Sequence, residues 1–343
     1  MKRSRIILLL SIIVVFIVTG CGKKQETVAS GTSEDQVIRL AGPSSKTTLS
    51  LAAGIAQNQK YFEEELGKIG YSIEYVGFAG AGPAVNEALL SHNIEFATYG
   101  DLPATMLDAN SGNTKIIGIS SSQNNLSMIA SKESGIKSGA DLEGKKVVLA
   151  IGTVYHHFFE ELVKYYGLDE SKITVINSPA DGATIFADGE ADAYIIDDIY
   201  IRNIEKQGLG TTVETSVNHP EWSCQIVLVG REDYIEAHPE VATAVVKAYI
   251  RAYRFAAENP DEAYNILTYG GDYDLDLVES VYGFDGGKFE FFNTQITESS
   301  KQKLQLLSDF LVENKLTAKD VNLNDFVDTS YYDKAMEELG KEK

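Results

Sequence analysis

The chain has 343 residues, of which 44% are hydrophobic and 23% charged, and its formal net charge is −20. These proportions are typical of a globular protein, and the length is sufficient for two lobes that each have a hydrophobic core. A surface this acidic repels the nucleic-acid backbone, so we expect no nucleic-acid partner.

The first 36 residues predict an export signal followed by a tether. A short basic segment precedes the apolar stretch from Ile6 to Val18, which leads into V-T-G-C ending at Cys21. The stretch is too short for a transmembrane helix, which needs about 20 apolar residues. V-T-G-C resembles the lipobox of bacterial lipoproteins, in which the cysteine is lipidated and becomes the first residue. We therefore expect a signal peptide at 1–20, and a lipidated Cys21 with a flexible tether at 21–36 that anchors the chain to the extracytoplasmic face of the cell membrane.

The sequence carries no motif of a hydrolytic or nucleotide-binding site. G-x-S-x-G, H-E-x-x-H and the P-loop pattern are absent from it. Adjacent His156 and His157 point in different directions on a helix, so they are poorly placed to chelate one ion. Lipidation of Cys21 would leave Cys224 unpaired, and we assign Cys224 to the core. We therefore expect a binding protein without a cofactor or a metal, rather than an enzyme.

The remaining chain alternates predicted strands and helices, which favours an α/β fold. Strands are expected at 37–43, 72–78, 94–100, 114–120, 126–131, 145–151, 172–178, 191–197 and 224–230. Helices are expected at 47–66, 84–93, 103–110, 153–167, 181–190, 198–208 and 238–260, with further helices behind them. The pattern permits one α/β block inserted into another: lobe 1 at 37–127, lobe 2 at 128–228, and the return of lobe 1 with C-terminal helices at 229–343.

Four strand-to-helix turns are candidate ligand contacts. In open α/β sheets, ligands bind outside the carboxyl ends of strands, where helix N-termini offer free backbone amides. The turns lie at 42–48, 77–83, 99–101 and 152–157. The glycines of the second turn fall as G-x-x-G-x-G, which does not match the dinucleotide-binding pattern. Capping of the following helix is the alternative role for Ser45, Thr47, Asp101 and Thr153.

Three polar groups at strand ends are further candidates. The segment 120–125 is either a hinge loop or a wall of the ligand site. Asp197 and Asp198 end another strand, with Tyr200 nearby. Trp222 and Ser223 precede the strand at 224–230, and Trp222 either stacks on a ligand or packs in the core.

Three segments carry a family resemblance. It is carried by FAGAGPAVNEALLSHNIEFATYGDLPATM, DLEGKKVVLAIGTVYHHFFEELVKYYGLDESKITVINSPADGATIFADGEADAYIIDDIY and REDYIEAHPEVATAVV, which resemble the nitrate/sulfonate/taurine group of ABC-transporter solute-binding proteins. The resemblance runs from about Val37 to Pro260 and is weak in the tail. It implies a type II periplasmic-binding fold, in which two lobes close on a small solute, and a membrane permease as the partner. We expect a monomer.

The resemblance also implies ligand contacts at several of these turns and strand ends. Together with the candidates above it gives the predicted ligand-binding residues: Ser44, Ser45, Lys46, Thr47, Thr48, Gly80, Gly100, Asp101, Ser121, Ser122, Gln123, Gly152, Thr153, Val154, Tyr155, Asp197, Tyr200, Trp222 and Ser223.

One position departs from the family pattern. The family often has Trp-Asp-Pro where this chain has Asp197-Asp198-Ile199. Asp197 either faces solvent, pairs with a cation such as Arg202, or binds a ligand ammonium group. We expect a solute of the sulfonate, taurine or nitrate class, with an amine-bearing heterocycle such as a thiamine-pyrimidine precursor as the alternative. A pyrimidine-synthase-like enzyme would need a cysteine-rich iron-binding segment that this sequence lacks, and a sensory or adhesive surface protein is the remaining alternative.

Overall fold

The computed structural model describes residues 36–283, 289 and 292–341. The predicted signal peptide, Cys21 and all of the predicted tether except Gln36 lie outside these residues. No helix in the described part of the chain is both long and apolar enough to cross a membrane.

Two five-stranded sheets organise the protein. The first has the strand order β2-β1-β3-β10-β4, with β10 antiparallel to both of its neighbours. Its strands are β1 Val37–Gly42, β2 Ser72–Gly77, β3 Phe96–Gly100, β4 Thr114–Asn124 and β10 Cys224–Arg231. The second has the order β7-β6-β8-β5-β9, with β5 antiparallel to β8 and β9. Its strands are β5 Leu126–Ser131, β6 Lys146–Leu149, β7 Thr174–Asn177, β8 Ala193–Asp197 and β9 Gly210–Thr215.

Helices cover the sheets and form the C-terminal tail. Those before β10 are α1 Leu51–Asn58, α2 Tyr61–Gly67, α3 Ala81–Leu90, α4 Asp101–Ser111, α5 Val154–Tyr166, α6 Gly182–Ala187 and α7 Asp198–Lys206. Those after it are α8 Glu232–Ala237, α9 Pro239–Glu258, α10 Pro260–Leu267, α11 Leu275–Tyr282, α12 Glu298–Glu313, α13 Leu323–Phe326 and α14 Ser330–Lys341. The alternating α/β layers and the helical tail agree with the sequence prediction.

Two local predictions were wrong. The helix predicted at 47–66 is two helices, because Lys60, which lies between them, adopts the left-handed conformation with φ 59°. Leu51, the first residue of α1, is also left-handed, with φ 56°. Residues 47–50 therefore lie outside the helix. The edge strand β9 was missed because its sequence, GTTVET, has no apolar face; its pairing with β5 makes it a strand.

The second lobe is inserted into the first, with boundaries that differ from those predicted. The chain passes from β4 to β5 at Asn125 and returns from β9 to β10 through residues 216–223. The prediction placed 224–228 in lobe 2. Instead, β10 pairs with β3 and β4 of lobe 1, where Val227 and Leu228 are fully buried. Burial on both faces explains why this apolar strand belongs inside the first sheet.

The tail connects the two lobes. Phe310 and Leu311 of α12 pack into the core of lobe 2, and the Phe310 ring lies 4.4 Å from that of His157 on α5. The ammonium group of Lys206 on α7 lies 2.7 Å from the carboxylate of Asp274, just before α11. These contacts hold lobe 2 against elements that follow β10.

The lobes also touch directly. A Cβ atom at Gly100 would lie 2.6 Å from Val154 Cγ1, and one at Gly152 would lie 3.5 Å from Pro83 Cγ. Gly100 ends β3 in lobe 1, whereas Val154 begins α5 in lobe 2. The structure therefore has its lobes closed, with glycine required at position 100 by the close approach.

Candidate functional site

A small pocket lies where β4, β8 and the tail meet. Its free volume is about 10 Å³, close to the space that one water molecule needs. A solute of several heavy atoms can therefore enter only when the lobes separate. The described residues that line it are Ser121, Gln123, Asn124, Asn125, Asp197, Asp198, Ile199, Val281, Tyr282, Phe289 and Phe292.

Asp197 supplies a carboxylate to this pocket. It ends β8, where the chain turns directly into α7, so its side chain projects beyond the sheet edge. The Tyr155 hydroxyl donates a hydrogen bond to Oδ2 at 2.6 Å, and the Asn124 amide donates one to Oδ1 at 2.5 Å. Burial raises the pKa of Asp197, and the two donors oppose that rise. No lysine, arginine or histidine of the described residues forms an ion pair with Asp197.

Arg202 does not pair with Asp197, contrary to one alternative drawn from the sequence. Its Nε lies 2.6 Å from Oδ2 of Asp198, and the Ser127 hydroxyl donates to the other oxygen of Asp198 at 2.5 Å. Spacing explains the pairing, because Asp198 and Arg202 are four residues apart on α7 and share one helix face. Asp198 is thus charge-compensated, while Asp197 has only neutral donors.

An aromatic wall from the tail completes the pocket. Tyr282 ends α11, and its ring centroid lies 6.0 Å from that of Phe292, which in turn lies 5.0 Å from Phe289. The sequence prediction missed these residues, because the family resemblance is weak in the tail. The only local signal is the density of aromatic residues between positions 282 and 292.

Trp222 packs in the core of lobe 2. Its ring stacks on His219 with centroids 3.7 Å apart, meets Phe158 edge-on at 6.0 Å, and is 3% exposed. Of the two roles expected for Trp222, packing in the core therefore agrees with the structure better than stacking on a ligand.

Other predicted contacts make structural hydrogen bonds. Thr153 caps α5 by accepting from the Tyr155 amide, and it donates to the Ala150 carbonyl at 2.6 Å. Asp101 accepts from the backbone N–H of Gln225 at 2.9 Å, and burial raises the pKa of this carboxyl. Ser223 accepts from the ammonium group of Lys303 at 2.6 Å. The bonds of Asp101 and Ser223 join α4, β10 and α12 beside the second crossing between the lobes.

The hydroxyl-rich first turn lies apart from the pocket. Of its residues, 45–48 are exposed and Ser44 is half-buried. The ammonium group of Lys46 lies 2.5 Å from the carboxylate of Asp272. Gly80 is exposed at the start of α3, and half-exposed Tyr200 packs edge-on against Tyr273.

Of the predicted residues, the structure brings Ser121, Gln123 and Asp197 together in the pocket, with Tyr155 bonded to Asp197. The remaining predicted residues are not among those that line it: Ser44, Ser45, Lys46, Thr47, Thr48, Gly80, Gly100, Asp101, Ser122, Gly152, Thr153, Val154, Tyr200, Trp222 and Ser223. Within the described ranges, no group of three or more His, Cys, Asp or Glu side chains is placed to hold a metal ion.

Sequence comparisons relate this chain to proteins that are described as binding proteins. The family model described as NMT1/THI5 like matches residues 52–263. A Bacillus subtilis protein described as aliphatic sulfonates-binding is 26% identical over 346 residues, covering 98% of each chain. The formylaminopyrimidine-binding protein of Halalkalibacterium halodurans is 27% identical over 156 residues, covering 43% of this chain and 46% of that protein. These matches confirm the resemblance drawn from the sequence.

Solved structures share the fold. The alkanesulfonate-binding protein SsuA from Xanthomonas axonopodis pv. citri, bound to MOPS, has a TM-score of 0.73 at 18% identity, covering 87% of this chain and all of that one. The desulfurization enzyme DSZB has a TM-score of 0.67 at 13% identity, covering 89% of this chain and 99% of that one. The two-lobed fold is thus confirmed, and it is used by binding proteins and by an enzyme alike.

Proposed function

This chain belongs to the NMT1/THI5-like family, and we propose that it is the solute-binding component of an ABC importer, whose lobes close on a small amine-bearing solute. The Bacillus subtilis and Halalkalibacterium halodurans relatives named above are described as binding proteins, which supports binding rather than catalysis. The interlobe position of the pocket supports capture by hinge motion about the two crossings.

The Asp197 carboxylate is the observation that carries the choice of solute. It is a carboxylate in a pocket with neutral hydrogen-bond donors and no cationic partner among the described residues. A partly buried carboxylate with no cation beside it is costly, and a positively charged or N–H-rich ligand group at this position reduces that cost. The lining named above contains no lysine or arginine. A simple anion such as nitrate would therefore meet the uncompensated Asp197 carboxylate, because the nearby Arg202 is paired with Asp198.

The aromatic wall favours a planar solute. Tyr282 and Phe292 line the pocket as buried members of the lobe 1 core, so a planar ring can pack against them. The amides of Gln123 and Asn125 offer both donors and acceptors at the pocket edge. An aminopyrimidine can donate an N–H to the carboxylate and pack its ring against the aromatic wall. An aminosulfonate such as taurine can donate to the carboxylate but has no ring to pack there. We therefore place the amine-bearing heterocycle ahead of the sulfonates.

We also propose that the protein is anchored to the membrane beside its permease. A lipidated Cys21 would hold the protein on the extracytoplasmic face of the membrane, and the tether would keep it within reach of a permease in the same bilayer. We propose that the protein acts as a monomer. Each lobe has its own hydrophobic core, so closure requires no second copy.

A matched ligand panel tests the choice of solute. Selective binding to the native state raises Tm, so 4-aminopyrimidine and taurine should each raise it, and pyrimidine and ethanesulfonate, which lack the amino group, should raise it less. Asp197→Asn should abolish the response to the amines. Asp188→Asn, which removes a charge from the exposed end of α6, is the control and should respond as the wild type does. Equal shifts with nitrate or ethanesulfonate in the wild type would refute an amine-bearing solute.

A further inference from the structure

A short segment of the tail contacts both lobes. It consists of residues 268–276, which follow α10 and form the start of α11, and we call it the clasp segment. On the lobe 1 side, the ammonium group of Lys46 lies 2.5 Å from the carboxylate of Asp272. The buried ring of Tyr273 packs in the core of lobe 1. The clasp segment is therefore fixed to lobe 1.

Helix α7 belongs to lobe 2 but turns one face toward the tail. Ile201 and Ile204 pack in a core cluster of lobe 2, so α7 moves with that lobe. Ile199 packs instead in the core of lobe 1. Lys206 follows Ile199 by seven residues, which is about two helical turns, so both lie on the face of α7 that is turned toward lobe 1.

Contacts between α7 and the clasp segment pass from one lobe to the other. The ammonium group of Lys206 lies 2.7 Å from the carboxylate of Asp274 and 3.2 Å from that of Asp276. These carboxylates raise the pKa of Lys206, so its side chain is charged at neutral pH. The ring of Tyr200 meets that of Tyr273 edge-on, with centroids 5.5 Å apart. Separation of the lobes has to break these contacts.

The ion pairs lie at the end of α7 that is remote from the hinge. The backbone N–H of Asp198 donates to the carbonyl of Asn125 at 2.9 Å, so α7 begins at the first crossing between the lobes. A helix rises 1.5 Å per residue, which places Lys206 about 12 Å farther along α7. Rotation about a hinge displaces atoms in proportion to their distance from the axis. A small opening movement therefore separates Lys206 from its partners.

We propose that Lys206 is a positioning residue for solute capture, which holds the lobes closed by pairing with Asp274 and Asp276. The proposal rests on the hinge motion of the proposed function but not on the chemistry of the solute. Exposed ion pairs add little to folding stability, yet pairs that exist only in the closed form bias the equilibrium between open and closed forms. It also gives Lys46 and Tyr200 a role, because both contact the clasp segment.

Labelling of a thiol placed between the lobes tests this role without a ligand. Val154 is buried where it meets Gly100 of the other lobe, so in the full-length Val154→Cys protein a thiol reagent reaches the new side chain only when the lobes separate. The labelling rate then follows the open fraction. Adding Lys206→Met should raise the rate about threefold, whereas Lys206→Arg, which keeps the charge, should not. Peptide mass spectrometry distinguishes the introduced thiol from Cys224.

Lys172→Met is the matched control. Lys172 pairs with Glu143 and Asp169 within lobe 2, so its loss changes the net charge equally and leaves the clasp segment intact. The labelling rate should equal that of the Val154→Cys parent. Raising NaCl from about 0.01 M to about 1 M shortens the Debye length from about 30 Å to about 3 Å. Salt should therefore speed labelling in the parent and in Lys172→Met, and much less in Lys206→Met.

Three results would overturn the proposal: equal labelling rates in the parent and Lys206→Met, the same acceleration in Lys172→Met, or the same salt response in all three proteins. Any of these leaves the Asp197 proposal intact, provided that the introduced thiol reacts. A thiol that stays unlabelled in every variant would show that the lobes do not separate, which would contradict the hinge motion of the proposed function and the role of Lys206 together.

Discussion

Asp197 and Asp198 are neighbours with different environments, and the difference explains their roles. Asp198 faces Arg202 and Ser127, so its charge is balanced within lobe 2. Asp197 faces the pocket with only Tyr155 and Asn124 as donors. A carboxylate that destabilises the unliganded protein and is compensated by a ligand is typical of a binding residue rather than a structural one.

This environment predicts how Asp197→Asn changes stability. Because the pKa of Asp197 is raised on folding, the folded state retains a proton that the unfolded state has lost. Stability therefore falls as the pH rises from the unfolded pKa through the folded pKa. Asp197→Asn should raise Tm of the unliganded protein at pH 7.5, and the gain should shrink as the pH falls and Asp197 itself becomes protonated. Calorimetric unfolding at several pH values measures this, and a lower Tm for Asp197→Asn at pH 7.5 would assign Asp197 a structural role.

At the scale of elements, the first turns of α4 and α5 make the direct contact between the lobes. Gly100 precedes α4 with φ −62° and ψ 147°, a conformation open to any residue, so the glycine is required only by the approach of Val154. Each of these helices begins at the carboxyl end of a strand, which brings both to the cleft.

Gly100→Ala should therefore oppose closure without disturbing either lobe. The added Cβ would lie 2.6 Å from Val154 Cγ1 in the closed form, so solute affinity should fall about tenfold, while the unliganded Tm changes little. Val154→Ala in the same chain should restore affinity, because it removes the overlapping methyl group. Calorimetric titration of the single and double variants measures both effects. Failure of Val154→Ala to rescue Gly100→Ala would mean that the contact does not govern closure.

The elements also show what the sequence can predict. Strands buried on both faces, such as β4, carry continuous apolar runs and were predicted within a few residues. The break at Lys60 was not predictable from periodicity, because the apolar pattern of 47–66 continues through it. The membership of β10 in lobe 1 was missed because an apolar strand fits the interior of either sheet equally well.

For the whole molecule, the fold was predictable and the pocket was predictable only in part. The order of strands and helices and the family resemblance together gave two lobes and a cleft. Asp197 was selected because it departs from the family pattern. Tyr282, Phe289 and Phe292 were not selected, because they reach the pocket through the return of the tail, far from β4 and β8 in sequence. Trp222 was selected for its chemistry, and packing alone decides that it lies in a core.

The central claim is that a ligand amine meets Asp197 between the two lobes. A crystal structure of the complex with the panel member that raises Tm most tests it directly. We predict an amine nitrogen within hydrogen-bond distance of the Asp197 carboxylate, about 2.7–3.2 Å, with the ligand against Tyr282 and Phe292. A complex in which the amine faces solvent, or in which an anionic group occupies the place beside Asp197, would contradict the account.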